Sequence, residues 1–375
     1  MAEVELRKVV KKYGNLIAVK DLTFKGEDKE LLVLLGSPGA GKSSTLKMIA
    51  GVEDVTSGEI IMNGQVINRF DPSERDLAMA FETYALYPHL SVYDNIAFPL
   101  RSPKRAHQFP ENEVKKVVQD VAEFLEIEML LERKPKELSG GQRQRVSLAR
   151  CLVRTPQLYL FDEPIAHLDA KLRHRLRREL KKWQQSKGIT TIYTTTDYLE
   201  AFSVGDRIVI LHRGVMLQMG KWEEIYNKPA NLIIGTIVSD PQMNTFVGEI
   251  VTAGDQVSVQ VKDIAFDVST EIKNRLKKTN IKEVIVGIFP SKIQAVNGFE
   301  AAKTLSGTWV EGIVEFIESR GSRRIVFLKT PHHLTFTLQL SLERRVQIGE
   351  KIMCLFGKDD IQIFEKQSKT NILLI

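Results

Sequence analysis

Cysteine is nearly missing from this 375-residue chain: Cys151 and Cys354 stand far apart and form no CxxC pair. That excludes a disulfide scaffold and leaves two buried, reduced thiols as the expectation. Long apolar runs are missing too. Those present, such as Leu31–Leu35, are strand-sized, far short of the ~18 residues a membrane-crossing helix needs. The opening Met1-Ala2-Glu3-Val4-Glu5 has neither the basic nor the apolar region of an export signal, which predicts a cytoplasmic protein. No low-complexity tract and no repeat of 20–50 residues is found. Hydrophobic residues at 43% and charged residues at 27% match ordinary globular usage, so disorder and collagen-like structure are excluded. The length suggests about two domains, with enough chain to bury a sizeable core. Lys plus Arg total 53 against 47 Asp plus Glu, a net +6. Such mild basicity permits attraction to nucleotides or to an anionic membrane surface and requires neither.

The apolar run Leu31–Leu35 enters Gly-Ser-Pro-Gly-Ala-Gly, which reads as a buried strand and a tight turn. Lys42–Ala50 then reads as a helix closed by Gly51. Val114, Val117, Val118, Val121, Phe124 and Leu125 fall at helical spacing and predict an amphipathic helix over 111–126. Leu158–Phe161 is a second apolar strand. Leu168, Leu172, Leu176 and Leu180 predict a following helix, and Thr190–Thr195 is β-rich. Strand, helix, strand in this order implies a parallel sheet covered by helices. After the turn-rich Asn227-Lys228-Pro229-Ala230-Asn231 the pattern changes to short alternating runs: Gln256–Val261, Val284–Ile288, Ile325–Leu328 and Thr335–Leu340. These predict an all-β second domain such as a small barrel, with the boundary at 230–240.

Gly36-Ser37-Pro38-Gly39-Ala40-Gly41-Lys42-Ser43 fits GxxxxGK[ST] between that strand and that helix. A triphosphate wants many donors at close range. Glycines let backbone N–H groups point inward, and the helix adds its positive end. Lys42 can reach the β- and γ-phosphates, and the Ser43 hydroxyl can bind Mg2+.

Further on, Leu138-Ser139-Gly140-Gly141-Gln142 precedes Leu158-Tyr159-Leu160-Phe161-Asp162-Glu163, two acids ending an apolar strand. With the phosphate loop, in this order, the sequence resembles the ATP-binding cassette (ABC) transporter ATPases. The resemblance implies an α/β P-loop NTPase domain over 1–235, with a helical subdomain at about 85–155. An all-β, oligonucleotide-binding-like (OB-like) regulatory domain would cover 236–375. It implies ATP and Mg2+ as cofactors. Ser43, Glu82 and Asp162 would attend the metal, and Glu163 would polarise the attacking water. Tyr13 would stack on adenine, the loop Gly36–Ser43 with Ser44 would hold the phosphates, and Ser139, Gly140, Gly141 and Gln142 would touch a nucleotide held by a second ATPase chain. Tyr84–Phe98 and Asp169-Ala170-Lys171-Leu172-Arg173 are similar to segments of importer ATPases of the maltose and glycerol-phosphate branch, as is Pro241-Gln242-Met243-Asn244. That branch implies two transmembrane permease subunits docking near 83–98, an external solute-binding protein acting indirectly, and a place on the cytoplasmic face of the membrane.

Three positions depart from the family. Its Q-loop glutamine is Glu82, its switch histidine is Thr196, and its D-loop serine is Ala166, next to His167. An ionised carboxylate cannot donate a hydrogen bond. Losing one aimed transition-state donor costs about 3–4 kcal/mol, or 10²–10³ in rate. The P-loop, both acids and LSGGQ are kept, which suggests an asymmetric pair with a second, intact ATPase. A nucleotide-binding regulatory subunit with little hydrolysis stays open as the alternative. Nucleic-acid binding is set aside. The basic run from Lys171 to Lys182 reads as a solvated helix face, and the C-terminal strands lack interleaved aromatics.

Overall fold

The computed structural model describes residues 2–103, 109–253, 256–296 and 306–375. The chain forms two units, Met1–Trp222 and Glu223–Ile375.

The first unit runs β1 (Val4–Tyr13), β2 (Leu16–Gly26), β3 (Leu31–Leu35), α1 (Lys42–Ala50), β4 (Ser57–Met62), β5 (Gln65–Val66), β6 (Leu77–Ala80), α2 (Val92–Ala97), α3 (Glu111–Phe124), α4 (Gly140–Leu152), β7 (Leu158–Asp162), α5 (Ala170–Lys187), β8 (Thr190–Thr195), α6 (Tyr198–Val204), β9 (Arg207–His212) and β10 (Val215–Gly220). One sheet has the order β2-β1-β4-β5 and the other β10-β9-β3-β8-β7-β6. In the second, β9, β3, β8, β7 and β6 are mutually parallel. Every residue of β3, β7 and β8 is buried, as strands of a covered parallel sheet should be, although β8 carries four threonines. The core between the sheets includes Leu6, Leu22, Leu34, Leu46, Ile60, Leu160 and Val209.

Helix α1 has the bounds its sequence indicates. Gly51 takes a left-handed φ of 73° and returns its N–H to the Lys47 and Met48 carbonyls. Helix α3 ends at Phe124, earlier than its apolar spacing indicates, because Glu126 turns left-handed at φ 54°. The basic face of α5 is largely tied up within the chain. Arg177 pairs with Asp197, Lys181 with Asp206 and Arg175 with Glu126, while Arg173 donates to the Ala166 and Leu168 carbonyls.

The second unit holds α7 (Trp222–Asn227, begun in the first unit), α8 (Leu232–Ile237), β11 (Asn244–Ala253), β12 (Gln256–Val261), β13 (Ile264–Phe266), α9 (Thr270–Leu276), β14 (Glu283–Ile288), β15 (Gln294–Val296), β16 (Gly307–Arg320), β17 (Arg323–Lys329), β18 (Thr335–Ser341), β19 (Lys351–Gly357) and β20 (Gln362–Glu365). Two five-stranded antiparallel sheets, β13-β12-β11-β14-β20 and β15-β19-β16-β17-β18, share one core around Phe246, Phe266, Val286, Leu338 and Phe356. This is the strand-rich architecture the alternating runs indicate, consistent with an OB-like domain. Residues 223–235, assigned by sequence to the first domain, belong to this unit. The C-terminal tail holds them: Asn371 donates to the Pro229 and Ala230 carbonyls, and Leu232 N–H to Lys369. Cys151 and Cys354 are both buried and free, and burial pushes each thiol up to about 12. Among the described residues no helix is long and apolar enough to cross a membrane.

Candidate active site

Adjacent parallel strands bring their C-terminal ends to one sheet edge. Leu35 sits opposite Thr195, Thr194 opposite Asp162, and Phe161 opposite Ala80. The loops that follow β3, β8, β7 and β6 therefore lie side by side, where open α/β sheets place their ligands. They carry the phosphate loop, Thr196, Glu163 and Glu82.

The phosphate loop needs Gly36 and Gly41 for space and Gly39 for its left-handed φ of 77°. A Cβ on Gly36 would lie 2.4 Å from the Leu211 carbonyl oxygen. Gly41, at φ 98°, caps α1, and a Cβ there would lie 2.7 Å from the Ala18 oxygen. The turn between β9 and β10 braces the loop from outside, Gly214 N–H donating to Ala40 at 3.2 Å. Lys42 is buried, and its ammonium donates to the Gly36 and Ser37 carbonyls at 2.9 and 3.3 Å. Its third partner is Glu163 Oε1, at 3.3 Å.

Asp162 is the buried hub beside it. Its Oδ1 accepts from Ser43 Oγ at 3.0 Å and from Thr194 Oγ1 at 2.8 Å. Burial raises its carboxyl above the usual range, the two hydroxyls pull it down, and the charge of Glu82 pushes it up again. Hydroxyl and carboxylate oxygens gathered at one point, with two acids unfavourably close, form a hard-oxygen donor set that suits Mg2+, which takes few protein ligands. Among the described residues no group of three or more His, Cys, Asp or Glu forms a metal cage. Glu163 follows with a left-handed φ of 46°, and its N–H donates to Thr194 Oγ1 at 3.1 Å. One threonine hydroxyl therefore fixes both acids.

A cleft of about 570 Å³ opens over the loop, lined by Tyr13, Leu16, Ile17, Gly39, Lys42, Ser44 and Arg213 among others. Tyr13 is 42% exposed. Its hydroxyl bonds to Glu53 and lies 3.3 Å from Ser44 Oγ, and Lys11 Nζ sits 4.9 Å from its ring centre. Ser37, Pro38 and Gly39 are exposed at the loop's tip, while Ala40 is buried beneath it.

Ser139 to Gln142 stand apart from these groups, at the start of α4. Ser139 Oγ accepts from Gln142 N–H at 3.3 Å, and Gln142 Oε1 accepts from Ser139 N–H at 2.8 Å, a reciprocal cap that leaves the serine exposed. The same helix grips three loops. Gln144 reaches the segment after β7, Arg145 donates to the Leu125 and Glu126 carbonyls after α3, and Arg150 donates to Ala85. His167 is exposed, and its ring meets Tyr84 edge-on at 6.0 Å.

Thr196 is exposed at the end of β8. Its neighbours are pinned: Asp197 N–H donates to Thr195 Oγ1 at 3.0 Å, Asp197 caps α6, and Arg177 holds the Asp197 carboxylate at 2.5 Å. Behind them Glu200 is buried, with Tyr193 donating to it and Arg177 at 3.7 Å. Burial pushes the Glu200 carboxyl from an ordinary 4.5 up to about 7, against the pull of both partners. Between those values the folded chain keeps a proton that the unfolded chain has released, so stability falls as pH rises, by up to about 3 kcal/mol. Glu200→Gln is expected to raise the thermal midpoint at pH 8 and to leave it nearly unchanged at pH 4.5. Circular-dichroism melts at the two pH values check this.

Thr194 and Gln144 escaped the sequence reading. The only signals were a polar residue in the middle of a buried strand and the glutamine that follows LSGGQ by two residues.

The sequence pattern of the ABC transporter family matches residues 19–166. The chain is 42% identical to the trehalose/maltose import ATP-binding protein MalK of Thermococcus litoralis, over 98% of both chains. It is 41% identical to the sn-glycerol-3-phosphate import ATP-binding protein UgpC of Psychromonas ingrahamii, over 88% of this chain and 83% of that one. It is 36% identical to the trehalose import ATP-binding protein SugC of Mycobacterium tuberculosis, over 100% and 99%. Among solved structures it resembles the dimeric post-hydrolysis state of the ATP-binding cassette MJ0796 bound to ADP and Pi. The TM-score is 0.55 at 30% identity, covering 58% of this chain and 98% of that one.

Proposed function

Because the chain belongs to the ABC transporter family, whose ATP-binding subunits are ATPases coupled to transport, we propose that it energises import of a carbohydrate, polyol or glycerol phosphate, as one half of an asymmetric ATPase pair. One observation carries the chemistry: Ser43, Asp162, Lys42 and Glu163 converge within 3.3 Å contacts at the C-terminal edge of a parallel sheet. The three relatives are named for import of trehalose, maltose or glycerol phosphate, which supports the substrate class.

In this reading the backbone N–H groups of the loop Gly36–Ser43, Pro38 excepted, and the Lys42 ammonium hold the phosphates, and Tyr13 offers its ring to the base. Ser43, Asp162 and Glu82 would hold Mg2+, which would supply positive charge to the phosphates. Glu163 orients water and takes its proton. Ser139, with the Gly140 and Gly141 amides and Gln142, closes over the nucleotide of a second ATPase chain. The dimeric cassette among its structural relatives supports that arrangement. Two permease subunits dock from the membrane against residues 83–98. There Tyr87 packs on Phe98 at 4.6 Å and under Arg150. A cleft of about 340 Å³, lined by Phe81, Tyr84, Pro99 and Cys151 among others, lies alongside. The chain then works on the cytoplasmic face, with a solute-binding protein outside.

The asymmetry rests on Thr196 and Glu82. This chain completes the partner's site through Ser139, while its own site turns over slowly. Thr196 also favours a second reading, a regulatory subunit that binds ATP and hardly hydrolyses it. The test compares ATPase rates of the purified chain and of its mixed complex with an intact second ATPase. The mixed complex is expected to be faster by about 10²-fold. Fast turnover by the chain alone, unaffected by Thr196→Ala, rejects the asymmetric pair. A mixed complex that is equally slow selects the regulatory reading.

A further inference from the structure

Gln144 is 3% exposed, and both ends of its amide are committed to one loop. Nε2 donates to the Glu163 carbonyl at 2.8 Å, and Oε1 accepts from His167 N–H at 3.0 Å. The two bonds bracket residues 163–167. That stretch begins with the left-handed backbone of Glu163, which a non-glycine residue adopts only when its surroundings over-determine it. On the other side, Thr194 takes the Glu163 N–H. The peptide groups on both sides of the Glu163 Cα are thus fixed, one by a strand residue and one by α4.

We propose that Gln144 is a positioning residue: it sets the backbone of Glu163, hence the aim of its carboxylate, and does so from the helix that Ser139 caps. The proposal rests on the ATPase reading given above. It adds that engagement of Ser139 by the partner's nucleotide reaches Glu163 within this chain, along four residues of α4 and one amide. Gln144 touches neither substrate nor metal.

Two substitutions in the full chain separate its bonds. Gln144→Met keeps length and volume and loses both bonds. Gln144→Glu can still accept from His167 N–H but, ionised, cannot donate to Glu163. Three readouts are taken: single-turnover hydrolysis of radiolabelled ATP with protein in excess, ATP affinity by calorimetry, and hydrogen-exchange protection of the Glu163 and 165–168 amides. Both variants are expected to hydrolyse about 10–100-fold more slowly with ATP affinity within about threefold, as for a reacting group misplaced by an ångström. The His167 amide should lose protection in Gln144→Met and keep it in Gln144→Glu. The proposal is overturned if either variant turns over at the wild-type rate. It is also overturned if rate and affinity fall together, or if protection is unchanged in Gln144→Met. A wild-type chain that binds no ATP would instead overturn the ATPase reading itself, so the two failures are told apart.

Discussion

Thr196→His is expected to accelerate ATP turnover by the purified chain about 10²-fold, the size of one aimed transition-state donor. Three structural facts favour a gain. Residue 196 is exposed at the end of β8, beside the loop that carries Glu163. The backbone after it is already set, because Asp197 both bonds back to Thr195 and caps α6. Arg177 holds the Asp197 carboxylate, so the new imidazole does not have to compete with a loose acid for its orientation. A threonine hydroxyl is shorter by about two bonds and cannot span the same gap. The measurement is steady-state phosphate release by wild type and variant at saturating ATP. An unchanged rate would mean that Glu82, and not Thr196, limits this site. Glu82→Gln in the Thr196→His background would then supply the acceleration.

Glu163→Gln should move rate and affinity in opposite directions. Hydrolysis is expected to fall by about 10²–10³-fold, since the amide cannot take a proton from water. ATP affinity is expected to rise, because Glu163 Oε1 lies 3.3 Å from Lys42 Nζ and competes with phosphate for that ammonium. Removing the carboxylate frees the lysine of its neighbouring negative charge. Calorimetric ATP binding, paired with single-turnover assays, checks both signs. A variant that lost affinity along with rate would show the carboxylate to be structural. The same variant should accumulate as an ATP-bound dimer, visible by gel filtration.

The parts of this molecule legible in its sequence are those fixed by neighbours in the chain. The phosphate loop is one: an apolar strand, glycines where a Cβ has no room or the backbone turns left-handed, then a helix with its own stop at Gly51. What stayed hidden depends on register between distant segments. Thr194 fixes both acids only because β8 pairs with β7 so that it faces Asp162, and no local spacing announces that pairing. Gln144 reads as one more polar residue after LSGGQ until α4 is packed against the segment that follows β7. The end of α3 gave no signal, because the left-handed residue beyond it is Glu126 and not a glycine. Likewise the tail that claims residues 229–232 for the second unit lies about 140 residues further along.

Helix α4, thirteen residues long, holds the end of α3 through Arg145, the segment after β6 through Arg150, and the exit of β7 through Gln144. These grips are side-chain bonds to the main chain, so they constrain position without depending on what residue sits at the other end. A single rod moored at three places shares any load put on one mooring with the other two. A displacement of the segment around Ala85 would then be passed by α4 to the main chain at Glu163 and at the end of α3 together.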